Sequence, residues 1–219
     1  MSKYIVALDD GHGLETIGKE TPIMPDISRR IKENEFNHAV KVKLMETLKR
    51  CDINTVDCSP SRIDTPLAQR SKVANDAKAD ILVSIHYNAF DGKFDTHQGG
   101  LCIFHYPGST KGKKLAECIH KYLKNGTKQI DRGVLSQDFH MLRVTKMPAV
   151  LSENGFMDDR YDASLMLNES FQTEVAEEHC QGICEYLGVV YISPADPYAE
   201  LLEKYNLLVK KLENIRKLL

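Results

Sequence analysis

Two histidines and two glutamates, far apart in the chain, each stand where an apolar run stops or a helical pattern starts. His12 follows Ile5-Val6-Ala7-Leu8 within Asp9-Asp10-Gly11-His12-Gly13. His86 follows Ile81-Leu82-Val83-Ser84-Ile85, and Glu153 follows Ala149-Val150-Leu151-Ser152. A further carboxylate, Glu33 or Glu35, lies where a long polar loop gives way to helical periodicity. Two imidazoles and a carboxylate are ligands that a catalytic zinc ion takes readily, with a fourth position left for water. The remaining glutamate is then free to act as general base beside that water. His38, His97, His105, His120, His140 and His179 compete for the same role.

Such groups need rigid supports. Residues 80–89 form a short, nearly continuous apolar run, the pattern of a strand buried on both faces. Its polar end carries His86 and Asn88, at the edge where open α/β sheets place their ligands. Further strands are predicted at residues 3–8, 53–56, 100–106, 139–144 and 149–152. Helices are predicted at 33–50, where Phe36, Val40, Leu44 and Leu48 keep helical spacing, and at 111–123 and 162–187. Another helix is expected over 65–79, with Thr65 as N-cap and Pro66 in the first turn. Residues 14–30 read as a loop. The alternation predicts an α/β fold: a single open, twisted, mostly parallel sheet with helices on both faces, spanning residues 1–192.

From residue 193 the chain changes character. Leu201, Tyr205, Leu208, Leu212, Ile215 and Leu219 step by four and three, a heptad seam. A lone helix of that length is marginal in water. Residues 193–219 are therefore expected to dock, either on a second subunit as a homo-oligomer through residues 198–219 or back on the α/β domain.

A formal net charge of −2 over 219 residues argues against a dominant nucleic-acid or anionic-membrane surface. No apolar run reaches the length of a membrane span, so no membrane insertion is expected. Asp9 and Asp10 come too early for a cleaved signal peptide, which predicts synthesis in the cytoplasm without one. The six cysteines include no C-x-x-C pair and read as reduced thiols, several of them buried.

Several of these segments together resemble the zinc-dependent N-acetylmuramoyl-L-alanine amidases, the autolysins and phage endolysins that cut peptidoglycan. Asp10-Gly11-His12-Gly13 is similar to the family's DxGHG opening. Glu33-Asn34-Glu35-Phe36-Asn37 is similar to its acidic segment, in which a glutamate precedes an asparagine by four residues. Arg70 with Ala74-Asn75 and Ser84-Ile85-His86-Tyr87-Asn88-Ala89 resembles its R…AN…SIHxNA block. Arg132-Gly133-Val134, Leu142-Arg143, Met147-Pro148-Ala149-Val150-Leu151 and Ser152-Glu153-Asn154-Gly155-Phe156 resemble its closing segment with the ExGF signature. The chain departs from the family at Asp9-Asp10 and Leu14, where DPGHGG is commoner, and it lacks a recognisable wall-binding repeat.

The resemblance implies Zn2+ held by His12, Glu33 and His86, with Glu153 as the catalytic carboxylate. Asn37 sets the register that selects Glu33 over Glu35. The implied reaction is hydrolysis of the amide between N-acetylmuramic acid and L-alanine by metal-activated water, with peptidoglycan as the partner. The implied setting is the cell wall, reached after phage or mother-cell lysis. The rival readings are a zinc carboxypeptidase or deacetylase acting on related cell-wall material, and a wall-binding protein without activity.

Overall fold

Each residue of Ile81-Leu82-Val83-Ser84-Ile85 is buried, as a strand covered on both sides requires. In the computed structural model, which describes residues 3–94 and 99–194 with Tyr205, Leu208 and Val209, this run lies inside a six-stranded sheet. The strands are β1 (Ile5–Asp9), β2 (Asn54–Asp57), β3 (Ile81–Asn88), β4 (Leu101–His105), β5 (Asp131–Ser136) and β6 (Ala149–Phe156). Their order is β2-β1-β3-β6-β4-β5. All neighbours are parallel except β4 and β6, which run antiparallel. The α/β class and the mostly parallel sheet expected from the sequence are both borne out.

Among the described residues, six named helices surround the sheet: α1 (Glu33–Arg50), α2 (Leu67–Asp76), α3 (Thr110–Gly126), α4 (His140–Arg143), α5 (Arg160–Leu165) and α6 (Glu169–Leu187). Strand side chains alternate between faces. Val6, Leu8, Ile81, Val83, Ile85 and Val150 point into one core with α1, α3 and α6. Ala7, Leu82, Ala149 and Leu151 point into the other, with Ala74 of α2 and Met141 and Leu142 of α4. Phe36, Val40, Leu44 and Leu48 of α1 are fully buried in the larger core, as their spacing predicts.

Three local expectations need correction. Phe139–Val144 is not a strand: Met141 and Leu142 anchor one helical turn, α4, in the smaller core. Residues 131–136, with Gly133 at φ 81, form β5 on the sheet's margin. Residues 162–187 break into α5 and α6 at Asn168, whose side chain accepts from Phe171 N and starts the second helix. At α2 the N-cap position is Pro66 rather than Thr65, with no side-chain cap.

All six cysteines are free and buried. Among the described residues no helix is long and apolar enough to cross a membrane. The heptad segment lies outside the described residues, apart from helical backbone at Tyr205, Leu208 and Val209.

The same alternation positions the polar residues. Counting by twos from Ala7, Leu82 and Leu151 brings Asp9, Ser84, His86 and Glu153 onto the α2/α4 face, at the carboxyl ends of β1, β3 and β6. Asp9 pairs in register with Ser84, and His86 with Glu153.

Candidate active site

β1 ends in a turn that only glycine permits. Gly11 has φ 54, and a Cβ there would come within 2.2 Å of His86 Cε1. The absence of a side chain lets the His86 ring lie against the backbone that presents His12, itself at φ 24. Asn34 Nδ2 donates to His12 O at 3.0 Å and ties this turn to the first turn of α1.

Glu33 opens α1 and is almost completely buried. Its Oε1 accepts from Asn37 Nδ2 and Tyr87 N, both at 3.1 Å, and lies 3.0 Å from His86 Nδ1. Its Oε2 accepts no hydrogen bond and sits 3.5 Å from His12 Nε2. The ligand atoms of His12, Glu33 and His86 all lie within 4.8 Å of one another. Ligand–metal bonds of about 2.0–2.2 Å demand that kind of convergence, and a buried carboxylate oxygen without a donor is what a cation would satisfy. The residues present therefore fit a divalent metal.

Their charge states fit as well. Burial drives the His12 imidazole down to about 4, so it is neutral and can ligate. Burial pushes the Glu33 carboxyl upward, but the hydrogen bond and charge of His86 outweigh it and hold the group at about 2. His86 itself is raised: burial lowers it, while the Glu33 bond and charge prevail.

The second ring nitrogen of His86 is also engaged. Nε2 lies 3.1 Å from Ser84 Oγ, and Ser84 Oγ donates to Asp9 Oδ2 at 2.6 Å. With its proton given to Asp9, the hydroxyl accepts from His86 Nε2, while Nδ1 faces Glu33 Oε1. Arg70 Nη1 donates to Asp9 Oδ1 at 2.8 Å and Arg70 Nη2 to Asp64 at 2.7 Å, fixing the far end. Burial raises the Asp9 carboxyl, but Arg70, His86 and Ser84 bring it below its usual value.

Glu153 stands beside His86 across the β3–β6 pair. Burial pushes its carboxyl up to about 8; His86 opposes the rise and the Glu33 charge adds to it. Glu153 Oε2 accepts no hydrogen bond. Arg70 is committed to Asp9 and Asp64, and Arg143 to Asp138.

The competing groups lie elsewhere. Glu35 pairs with Arg29 and accepts from Lys32 N in a capping box. His38 meets Asp10 at 2.9 Å, His105 the Tyr106 carbonyl, His120 Asp131, and His140 Ser71. His179 is held inside the larger core by Val175 O and Ser152 Oγ. His97 lies outside the described residues. Sequence reasoning did not find Asp9 and Ser84 as the support of His86. Ser84 lies two positions before His86 on the same strand face, but Asp9 lies on another strand, three residues before His12.

A family model described as N-acetylmuramoyl-L-alanine amidase matches residues 6–185. The chain belongs to this amidase family. The amidase is 36% identical over 193 residues to the endolysin of Bacillus phage SPP1, covering 86% of this chain and 68% of that protein. It is 28% identical to the N-acetylmuramoyl-L-alanine amidase CwlM of Bacillus licheniformis, over 81% of this chain and 66% of that one. Among solved structures, the catalytic domain of the amidase CwlV from Bacillus (Paenibacillus) polymyxa superposes with a TM-score of 0.75 at 31% identity, covering 87% of this chain and all of that one. The amidase from Clostridium difficile 630 gives 0.77 at 31% identity, over 86% and 98% of the two chains.

Proposed function

We propose that the chain hydrolyses the amide between N-acetylmuramic acid and L-alanine in peptidoglycan, as a phage or prophage endolysin. The observation that carries this reading is the convergence of His12, Glu33 and His86 beside Glu153 on one sheet edge, in a chain of this family. His12, Glu33 and His86 would hold zinc, which when bound supplies Lewis-acid polarisation of a scissile carbonyl and acidifies water. In its ionised form Glu153 takes the proton from the attacking water and passes it to the leaving amine, so the same carboxyl serves as base and then acid. The lack of any donor to Glu153 Oε2 leaves that oxygen free for the proton. The Ser84–Asp9–Arg70 chain keeps the His86 ring turned toward Glu33. The site lies on a sheet edge, which suits a polymeric substrate, and the workplace is the cell wall after release from the cell.

Glu153→Gln tests the assignment. It should keep zinc at the wild-type level while turnover of purified cell walls falls by about 10²–10⁴. Full lytic activity in Glu153→Gln would refute the role given to this residue. Product analysis separates the rival chemistries: new L-alanine amino termini mark the amidase, whereas released acetate or a free C-terminal residue marks a deacetylase or carboxypeptidase.

A further inference from the structure

Three of the six cysteines meet at one point remote from the His12–Glu33–His86 cluster. Cys51 closes the C-terminus of α1, and Cys180 and Cys184 lie one turn apart on α6. Cys51 Sγ is 3.7 Å from Cys180 Sγ, and Cys180 Sγ is 4.0 Å from Cys184 Sγ. All three sulfurs fall within 4.8 Å of one another, and the residues are buried. Cys58, Cys102 and Cys118 enter no such group among the described residues.

We propose that Cys51, Cys180 and Cys184 form a second, structural metal site for a thiophilic d10 cation of the zinc class. With metal–sulfur bonds of about 2.3 Å, tetrahedral coordination sets sulfurs about 3.8 Å apart, and the two measured separations straddle that value. A disulfide would need Cys51 and Cys180 to close to about 2.0 Å and would strand Cys184. The surroundings also suit coordinated sulfur. Ile192 N donates to Cys51 Sγ at 3.3 Å, a bond that neutral packed thiols do not require. The Thr47 hydroxyl contacts Cys180, and the Ile192 carbonyl oxygen lies 3.9 Å from Cys51 Sγ.

Arg50 Nε donates to Ile192 O at 2.7 Å, while its Nη2 pairs with Glu177 Oε2 at 2.5 Å, which fixes residues 189–192 against the end of α1. Because the thiolate is the ligand, each coordinated thiol releases one proton to solvent as the ion binds. The ion would pin α1, α6 and residues 189–192 together, at the place where the chain leaves the α/β unit.

Cobalt(II) substitution of the metal-free full chain tests this directly. The wild type should take up about two equivalents and show a sulfur-to-cobalt charge-transfer band, which imidazole and carboxylate ligands cannot produce. The band should vanish in Cys184→Ser and persist in His86→Ala, with each variant losing one equivalent. This separates the thiol site from the proposed catalytic one. A wild type that binds cobalt without the band overturns the proposal whether or not Cys184→Ser folds. Persistence of the band in folded Cys184→Ser, or an intact mass showing a Cys51–Cys180 disulfide in the purified chain, overturns it equally.

Discussion

Ser84 Oγ stands 3.1 Å from His86 Nε2 while giving its own proton to Asp9. The imidazole that faces Glu33 is thus oriented from behind by a hydroxyl that has only lone pairs left to offer. Ser84→Ala should lower zinc affinity by about 10–100-fold, as loss of an outer partner of a metal-bound histidine does. Competition against a chelator measures it, and unchanged circular dichroism confines the effect to the site. Wild-type affinity in Ser84→Ala would show that Ser84 does not orient the ring.

Gly11 is the second lever on the same ring. Gly11→Ala combines a positive φ with a Cβ that would overlap His86 Cε1. The expected outcome is loss of stoichiometric zinc together with a stability cost on the order of 1–3 kcal/mol. Metal analysis and thermal denaturation report the two effects separately. A fully metallated Gly11→Ala chain would mean that the turn relaxes without moving His86.

Arg70 is fully buried and bonds Asp9, Asp64 and the Thr65 carbonyl. Arg70→Met leaves Asp9 as a buried charge without its counter-ion and should cost about 3–5 kcal/mol in urea denaturation. Arg70→Lys should recover little of this, because an ammonium cannot span three acceptors held by a planar fork. A loss below about 1 kcal/mol would show the network to be dispensable.

Glu178 on α6 gives a pH signature. It is buried beside Gly126, its Oε2 accepts no hydrogen bond, and burial with the neighbouring Glu174 pushes its carboxyl up to about 8. An unfolded chain releases this proton near the ordinary value of 4.5, whereas the folded chain keeps it until about 8. The unfolded state therefore binds fewer protons between those values, and stability falls as pH rises through them. Glu178→Gln should be neutral near pH 5 and stabilising by on the order of a few kcal/mol at pH 8. For a chain of this size that is about 2–4 °C in Tm per kcal/mol. A Tm difference that does not grow with pH would rule this out.

Much of this architecture was legible before any coordinates. The run from Ile81 to Ile85 announces a doubly covered strand, and α1 spans the residues that its apolar spacing predicts. His12, Glu33, His86 and Glu153 converge because each follows or starts an element whose position the pattern gives. What escaped were features with weak local signals. Arg132 and Gly133 disguise β5, a margin strand with exposed ends, and the four-residue α4 is too short to show helical periodicity. The support of His86 by Ser84 and Asp9 depends on register between strands 75 residues apart in the chain, and no single-chain pattern encodes it.

The one antiparallel pairing in the sheet bears on how this enzyme family can vary. Because β4 runs against β6, the connection from β3 to β4 leaves and re-enters at the edge that carries His86 and Glu153. Asp158 Oδ2 grips its beginning through the amides of Phe90, Asp91 and Gly92. Doubling such a loop's length costs only about 0.6 kcal/mol in closure entropy. The connection beside His86 and Glu153 can therefore be lengthened, shortened or exchanged while the strands that carry those residues stay as they are.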